Sequence, residues 1–183
     1  MKKICAILAE GFEEVEALTV IDLLKRAGED VIMVSLCEDL MVKGSHSIEV
    51  KADKLFKEIE FDKVDMIFLP GGMPGTTNLM EHEALREELI EFNRKNKNIA
   101  AICAAPMVLG RLGLLQGKSA TCYPGFEKYL IGASFGCETV VVDENIITSR
   151  GVGTAIALGL KIIQVFEGEE RAEKIADEII YNY

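Results

Sequence analysis

The stretch Ile99-Ala100-Ala101-Ile102-Cys103-Ala104-Ala105-Pro106 constrains the fold more than any other. Its apolar run is short and framed by Asn98 and Pro106, which reads as a strand buried on both faces. Met107, Leu109 and Leu112 follow at helical spacing. Pro106 suits the first turn of that helix, where a missing N–H costs nothing. Cys103 is therefore expected at the sharp corner between a strand's carboxyl end and a helix's amino end. Ligands bind at that edge of an open parallel sheet. Free N–H groups and the helix dipole there are expected to lower the thiol's pKa. A buried cysteine is equally accounted for as a small hydrophobe, so the local sequence leaves both readings open.

The remaining chain repeats the strand-then-helix pattern. Lys3–Ala9 reads as a first strand, and Val15, Leu18, Ile21 and Leu24 mark a first helix closed by Ala27-Gly28. Val31–Leu36 is a second strand. Met41-Val42 and Ser47–Val50 predict a hairpin, and Asp53–Ile59 a short helix or turn. Val64–Leu69 is a strand running into Pro70-Gly71-Gly72-Met73-Pro74-Gly75, a shaped loop with free backbone N–H groups. One helix is expected over Leu79–Asn93, and another over Met107–Leu115. Ala120–Tyr123 is a candidate strand, with a short helix through Leu130. Glu138–Val142 and Asn145–Ser149 predict a hairpin turning at Asp143-Glu144. Helices over Ala155–Phe166 and Glu169–Tyr181 close the chain. Alternating strands and helices imply a doubly wound, mainly parallel sheet in one domain, residues 1–183.

Composition removes several function classes. The net charge is −10, and no basic cluster interrupts it, which argues against nucleic acid and anionic membrane as partners. No stretch approaches the ~20 apolar residues of a bilayer span. Lys2-Lys3 before Ile4–Ala9 is too short for a secretory signal, with Glu10, Glu13, Glu14 and Glu16 directly behind it. The cysteines Cys5, Cys37, Cys103, Cys122 and Cys137 are odd in number, widely spaced and without a C-x-x-C pair. That suggests neither a disulfide framework nor structural zinc, and reduced thiols fit a cytoplasmic setting.

Glu10–Glu16, Gly71–Gly75 and Cys103–Pro106 all sit at strand carboxyl ends, so one sheet edge can gather them. Together they offer a nucleophile, backbone donors and a carboxylate. Glu13 and Glu14 are explained by the helix dipole alone. Glu16 differs, because it lies beside the inward stripe, where an unpaired charge is expensive. A buried carboxyl next to a thiol would have a raised pKa and could donate to a thiolate or carry a proton. The glycine loop lacks the Lys-Ser/Thr of a P-loop, and Gly151-x-Gly153 comes too late for a dinucleotide site, so no cofactor is expected. Thr154 reads as a helix cap or near-cap. The two histidines, His46 and His82, read as solvated, and no cluster suggests a metal. Cys122 reads as structural.

Four segments together resemble the DJ-1/ThiJ/PfpI superfamily over nearly the whole chain. They are Ala9–Glu16, Leu69–Gly72, Ala100–Pro106 and Thr148–Thr154. The branch most similar is DJ-1/ThiJ, because Ala104 stands where the protease-like PfpI branch has a histidine. The resemblance implies a flavodoxin-like sandwich and a homodimer. It implies Cys103 as the reactive cysteine on a nucleophile elbow and Glu16 as its protonated partner. It further implies Gly71, Gly72 and Ala104 as the backbone oxyanion site, with Glu13, Tyr123 and Arg150 nearby. The implied activity is cofactor-free conversion of small 2-oxoaldehydes, methylglyoxal to lactate, or related deglycation. The rivals are a redox-sensing or chaperone protein whose Cys103 oxidises to a sulfinate, and, less favoured, a peptidase. Two departures stand out. Tyr123 replaces a histidine common before the proline, and His46 replaces an arginine near the dimer contact.

Overall fold

The computed structural model describes residues 1–181. In chain order the strands are β1 (Lys3–Leu8), β2 (Asp30–Ser35), β3 (Met41–Lys43), β4 (Glu49–Lys51), β5 (Lys54–Leu55), β6 (Met66–Leu69), β7 (Asn98–Ile102), β8 (Ser119–Ala120), β9 (Ser134–Phe135), β10 (Val140–Asp143) and β11 (Ile146–Ser149). The α-helices are α1 (Glu14–Ala27), α2 (Gly75–Glu81), α3 (Glu83–Arg94), α4 (Pro106–Arg111), α5 (Ala155–Glu167) and α6 (Glu169–Glu178). The main sheet runs β10-β11-β7-β6-β1-β2-β5, parallel except for the β10–β11 hairpin. This is the expected doubly wound, flavodoxin-like α/β sheet.

Period-two alternation divides the core into two layers. Along β1, Ile4, Ala6 and Leu8 pack with Val20, Leu24, Leu158 and Ile162 of α1 and α5. Cys5 and Ile7 point the other way, to Leu85, Leu89 and Phe92 of α3 and Val108 of α4. Both faces of the central strands are covered, which explains their near-continuous apolar sequence.

Several expectations need correction. The helix expected over Leu79–Asn93 is two helices broken at His82, whose extended backbone ends α2 while its Nδ1 accepts from the Leu85 N–H at 3.1 Å. His82 is thus a half-buried helix cap, edge-on to Phe56 at 4.7 Å, and not a solvated side chain. The segment Asp53–Ile59 contains the edge strand β5, parallel to β2, before its short 3-10 turn. A two-residue strand carries too little pattern to be read from sequence. Helix α4 stops at Arg111, well before Leu115. The expected strand over Ala120–Tyr123 shrinks to β8, and the late hairpin turns at Glu144-Asn145, one residue later than predicted. Helix α6 ends at Glu178. Among the described residues no helix is long and apolar enough to cross a membrane.

Candidate active site

The carboxyl ends of β1, β6, β7 and β11 form one rim. A cavity of about 630 Å³ opens there, lined by Glu16, His46, Gly72, Cys103, Tyr123 and Arg150 among others. Cys103 follows β7 directly and adopts φ 65°, a left-handed conformation that a non-glycine residue reaches at a cost of roughly 1–2 kcal/mol. Three backbone bonds hold it there. The Cys103 N–H donates to Ser149 O at 3.0 Å, the Tyr123 N–H donates to Cys103 O at 2.8 Å, and the Ala105 N–H donates to Ile102 O at 3.0 Å. The corner is therefore a strained strand-to-helix elbow with the thiol presented to the cavity.

Glu16 lies in the first turn of α1 and is fully buried. Its Oε2 accepts from the Gly71 N–H at 3.0 Å, while its Oε1 has no hydrogen-bond partner among the described residues. A buried carboxylate with one empty oxygen is costly. Burial, with the charge of Glu13 behind it, lifts the Glu16 pKa to about 7, although bonds from Cys103 and Gly71 oppose the rise. Gly71 has to be glycine here. A β-carbon would stand 2.6 Å from both the Cys103 Cβ and Glu16 Oε2. Gly72, at φ 93°, would press a β-carbon to 2.4 Å from the Glu13 nitrogen. The glycine pair thus lets three segments meet without an intervening side chain.

Gly72 and Ala104 aim their N–H groups at the Cys103 sulfur, whereas Gly71 spends its N–H on Glu16. Gly71 therefore differs from the other two expected oxyanion donors. The expected depression of the thiol pKa is not observed. Burial pushes it up to about 12, helped by the charge of Glu16 and by its hydrogen bond, while the two amides pull it down. Two of the three upward causes exist only while Glu16 is ionised. Transfer of one proton to Glu16 removes both of them, so thiolate and carboxylic acid belong together as one state of the pair.

Tyr123 is half exposed beside Gly151, and a β-carbon on Gly151 would lie 3.3 Å from its ring. Arg150 donates from Nη1 to Cys137 O at 3.3 Å, and its buried Nε has no partner among the described residues. Thr154 occupies the cap position of α5 without a side-chain bond into the helix. Its hydroxyl accepts from the Arg150 and Gly151 N–H groups at 3.1 and 3.0 Å, fixing the turn that carries Arg150. Glu13 is the N-cap of α1, accepting from the Glu16 N–H at 2.7 Å, so its helix-end reading stands.

His46 is exposed, as expected, yet it is held by Glu14, which does more than sit at a helix end. Glu14 is buried, and its carboxylate gathers the loop between β3 and β4. Oε1 accepts from the His46 N–H at 2.7 Å, and Oε2 meets His46 Nδ1 at 2.8 Å. These bonds overcome burial and hold the carboxyl down at about 2. His46 in turn has its pKa raised by Glu14 and stands on the wall of the Cys103 cavity. The only usable signal was the alternation of Met41–Val50, which predicted a hairpin but not where it folds. Ligand atoms of Glu13, Glu14 and His46 lie within 4.8 Å of one another, so this cluster could hold a metal. Both oxygens of Glu14 already accept hydrogen bonds, so the cluster is satisfied without an ion.

Comparison with known proteins agrees with this geometry. The profile of the DJ-1/PfpI family matches residues 2–165. Drosophila melanogaster Protein dj-1beta is 37% identical over 185 residues, spanning 100% of this chain and 98% of that protein. The Schizosaccharomyces pombe protein named Glutathione-independent glyoxalase DJ-1 is 33% identical over 181 residues, covering 93% of this chain and 94% of its own length. The longer Arabidopsis thaliana Protein DJ-1 homolog B is 35% identical, and this chain spans 41% of it. The structure of oxidized Toxoplasma gondii DJ-1 superposes with a TM-score of 0.96 at 40% identity, covering 100% of both chains. With the elbow cysteine, the buried Glu16 and the glycine pair in place, the chain belongs to the DJ-1/PfpI family.

Proposed function

We propose that the chain converts small 2-oxoaldehydes such as methylglyoxal to 2-hydroxy acids without a cofactor. The observation that carries this reading is the buried Glu16 carboxyl set beside Cys103 across Gly71, with the Gly72 and Ala104 amides at the sulfur. The glyoxalase name of the fission-yeast relative supports it. In the reactive state Glu16 holds the proton and Cys103 is the thiolate. The thiolate adds to the aldehyde carbon, and the Gly72 and Ala104 N–H groups receive the oxyanion, each donor worth a few kcal/mol. Glu16 gives its proton to that oxyanion and, ionised again, takes the proton from the former aldehyde carbon and returns it to the neighbouring carbonyl carbon, while the hydroxyl proton passes to the neighbouring oxygen. The first carbon is thereby oxidised to a thioester and the second reduced to an alcohol. Water then cleaves the thioester, giving lactate and free Cys103. Related removal of glycation adducts would use the same steps.

The test is lactate formation from methylglyoxal. Wild type should turn over, and Cys103→Ala should be silent. Equal rates in the two would end this reading.

A second reading, oxidation of Cys103 to a sulfinate as a stress signal, is favoured by a partly buried cysteine on the cavity wall beside two amides and a carboxyl able to donate. Mild peroxide should then add two oxygens to Cys103 before Cys37 or Cys137. Apolar Val15, Ile48 and Val152, all about half exposed, are consistent with a homodimer. A reduced, cytoplasmic setting fits the five free cysteines.

A further inference from the structure

We propose that His46, oriented by Glu14, is the base that activates water to cleave the Cys103 thioester. This rests on the 2-oxoaldehyde reading and adds the group that reading lacks. Glu16 serves the carbon-to-carbon proton transfer from a fully buried place against Gly71. Hydrolysis needs a base on the side from which water arrives.

Four observations converge on His46. It lines the same cavity as Cys103 and Glu16. In the single chain 69% of its side chain is exposed, so the ring is not packed away from the cavity. Its backbone and ring are both fixed by one buried carboxylate, at 2.7 Å from the N–H and 2.8 Å from Nδ1. That carboxylate is itself only 4% exposed, so the anchor cannot swing away.

The tautomer follows from the charge of the anchor. Glu14 is ionised throughout the neutral range, so it only accepts, and Nδ1 must carry the hydrogen. Nε2 is then the basic nitrogen, and it makes no hydrogen bond among the described residues. A carboxylate behind Nδ1 and a free Nε2 on a residue that lines the cavity is the arrangement that orients an imidazole as a base and stabilises the imidazolium it forms. The other titratable groups around it are Glu13 and Glu16 from α1, and Cys103, Tyr123 and Arg150 from the remaining walls. Glu13 Oε1 lies 3.8 Å from Nδ1 and adds to the anionic side.

The step balances as follows. Nε2 takes a proton from water while the water oxygen bonds to the thioester carbonyl carbon. The carbon–sulfur bond breaks and its electron pair leaves with sulfur. The imidazolium then returns its proton to the Cys103–Glu16 pair, and the 2-hydroxy acid departs.

Rapid-quench mass spectrometry with methylglyoxal as the probe separates the two halves of the reaction. In His46→Gln, Cys103 should acquire one methylglyoxal equivalent at the wild-type rate. Clearance of that adduct with lactate release should then slow by ~10²-fold, as loss of general-base help predicts. Added imidazole should restore part of the clearance. Clearance at the wild-type rate in His46→Gln overturns the proposal. A wild type that takes up no methylglyoxal ends the 2-oxoaldehyde reading itself, and the His46 role with it. Glu14→Gln supplies an independent readout. The chain has two histidines, so both imidazoles can be followed by NMR. The His46 midpoint should fall in Glu14→Gln, and the pH midpoint for adduct clearance should fall with it. A clearance profile that stays put while the NMR midpoint moves also overturns the proposal.

Discussion

Glu16→Gln removes a titrating group from the floor of the cavity while keeping its shape. The amide oxygen can still accept from the Gly71 N–H, and the amide nitrogen can donate towards Cys103. What disappears is the carboxylate charge. In the folded chain the Glu16 pKa is raised from 4.5 to about 7, chiefly by burial. A raised carboxyl pKa means that the folded state binds the proton more tightly than the unfolded state, so ionisation works against folding. Below about pH 4.5 both states are protonated, and Glu16 contributes nothing to the pH slope. From there to about pH 7 the wild type should lose stability relative to Glu16→Gln at about 1.4 kcal/mol per pH unit. Above that range the difference should level off at about 3 kcal/mol in favour of the variant. Cys103 does not blur the result, because its thiol stays protonated up to about 12 while Glu16 is charged. The assay is reversible urea unfolding of both proteins at several pH values, at one protein concentration and with reductant present. A constant difference between the two proteins from acid to mildly alkaline pH would refute the reasoning. The same variant should also lower the pH at which Cys103 alkylates, since two of the causes that raise it are gone.

Two further substitutions test the geometry. Gly71→Ala forces a methyl group against the Cys103 Cβ and Glu16 Oε2, both at 2.6 Å. It should cost about 1–3 kcal/mol in urea unfolding and reduce Cys103 alkylation and lactate formation together. Cys103→Gly should be more stable than Cys103→Ala by about 1 kcal/mol, because glycine accepts φ 65° without strain. Unfolding midpoints that place the alanine variant above the glycine one would remove strain from the description of the elbow.

The fold was legible wherever local pattern and burial agree. β7 and α4 were readable because a two-sided buried strand must be apolar throughout, and because Pro106 fits only the first turn of a helix. The break at His82 was not readable. Leu79, Leu85, Leu89 and Phe92 keep their apolar spacing across it, and the interruption is made by a side chain turning back to cap the next helix. β5 escaped because its evidence is a partner strand distant in sequence rather than any periodicity of its own.

The site was legible in its backbone and less so in its electrostatics. Glycines that admit close approach and a cysteine at a strand end announce themselves by type and position, so Gly71, Gly72 and Cys103 could be named. A pKa depends on what ends up beside a group in space. The amides of Gly72 and Ala104 do pull the thiol down, as the position of Cys103 before a helix suggested. Burial and the charge of Glu16 outweigh them. The same spatial dependence hid His46. Nothing near it in sequence is acidic until Glu49, and the carboxylate that fixes it, Glu14, is 32 residues away. Glu14 and Glu16 are two residues apart on one helix end, yet their titrations diverge to about 2 and about 7. The difference is supply of hydrogen bonds. Glu14 receives backbone N–H groups and an imidazole from the β3–β4 loop, whereas Glu16 keeps one oxygen empty. One helix terminus thereby holds a fixed anion beside His46 and a buried carboxyl of raised pKa beside Cys103, two environments that push neighbouring acids apart.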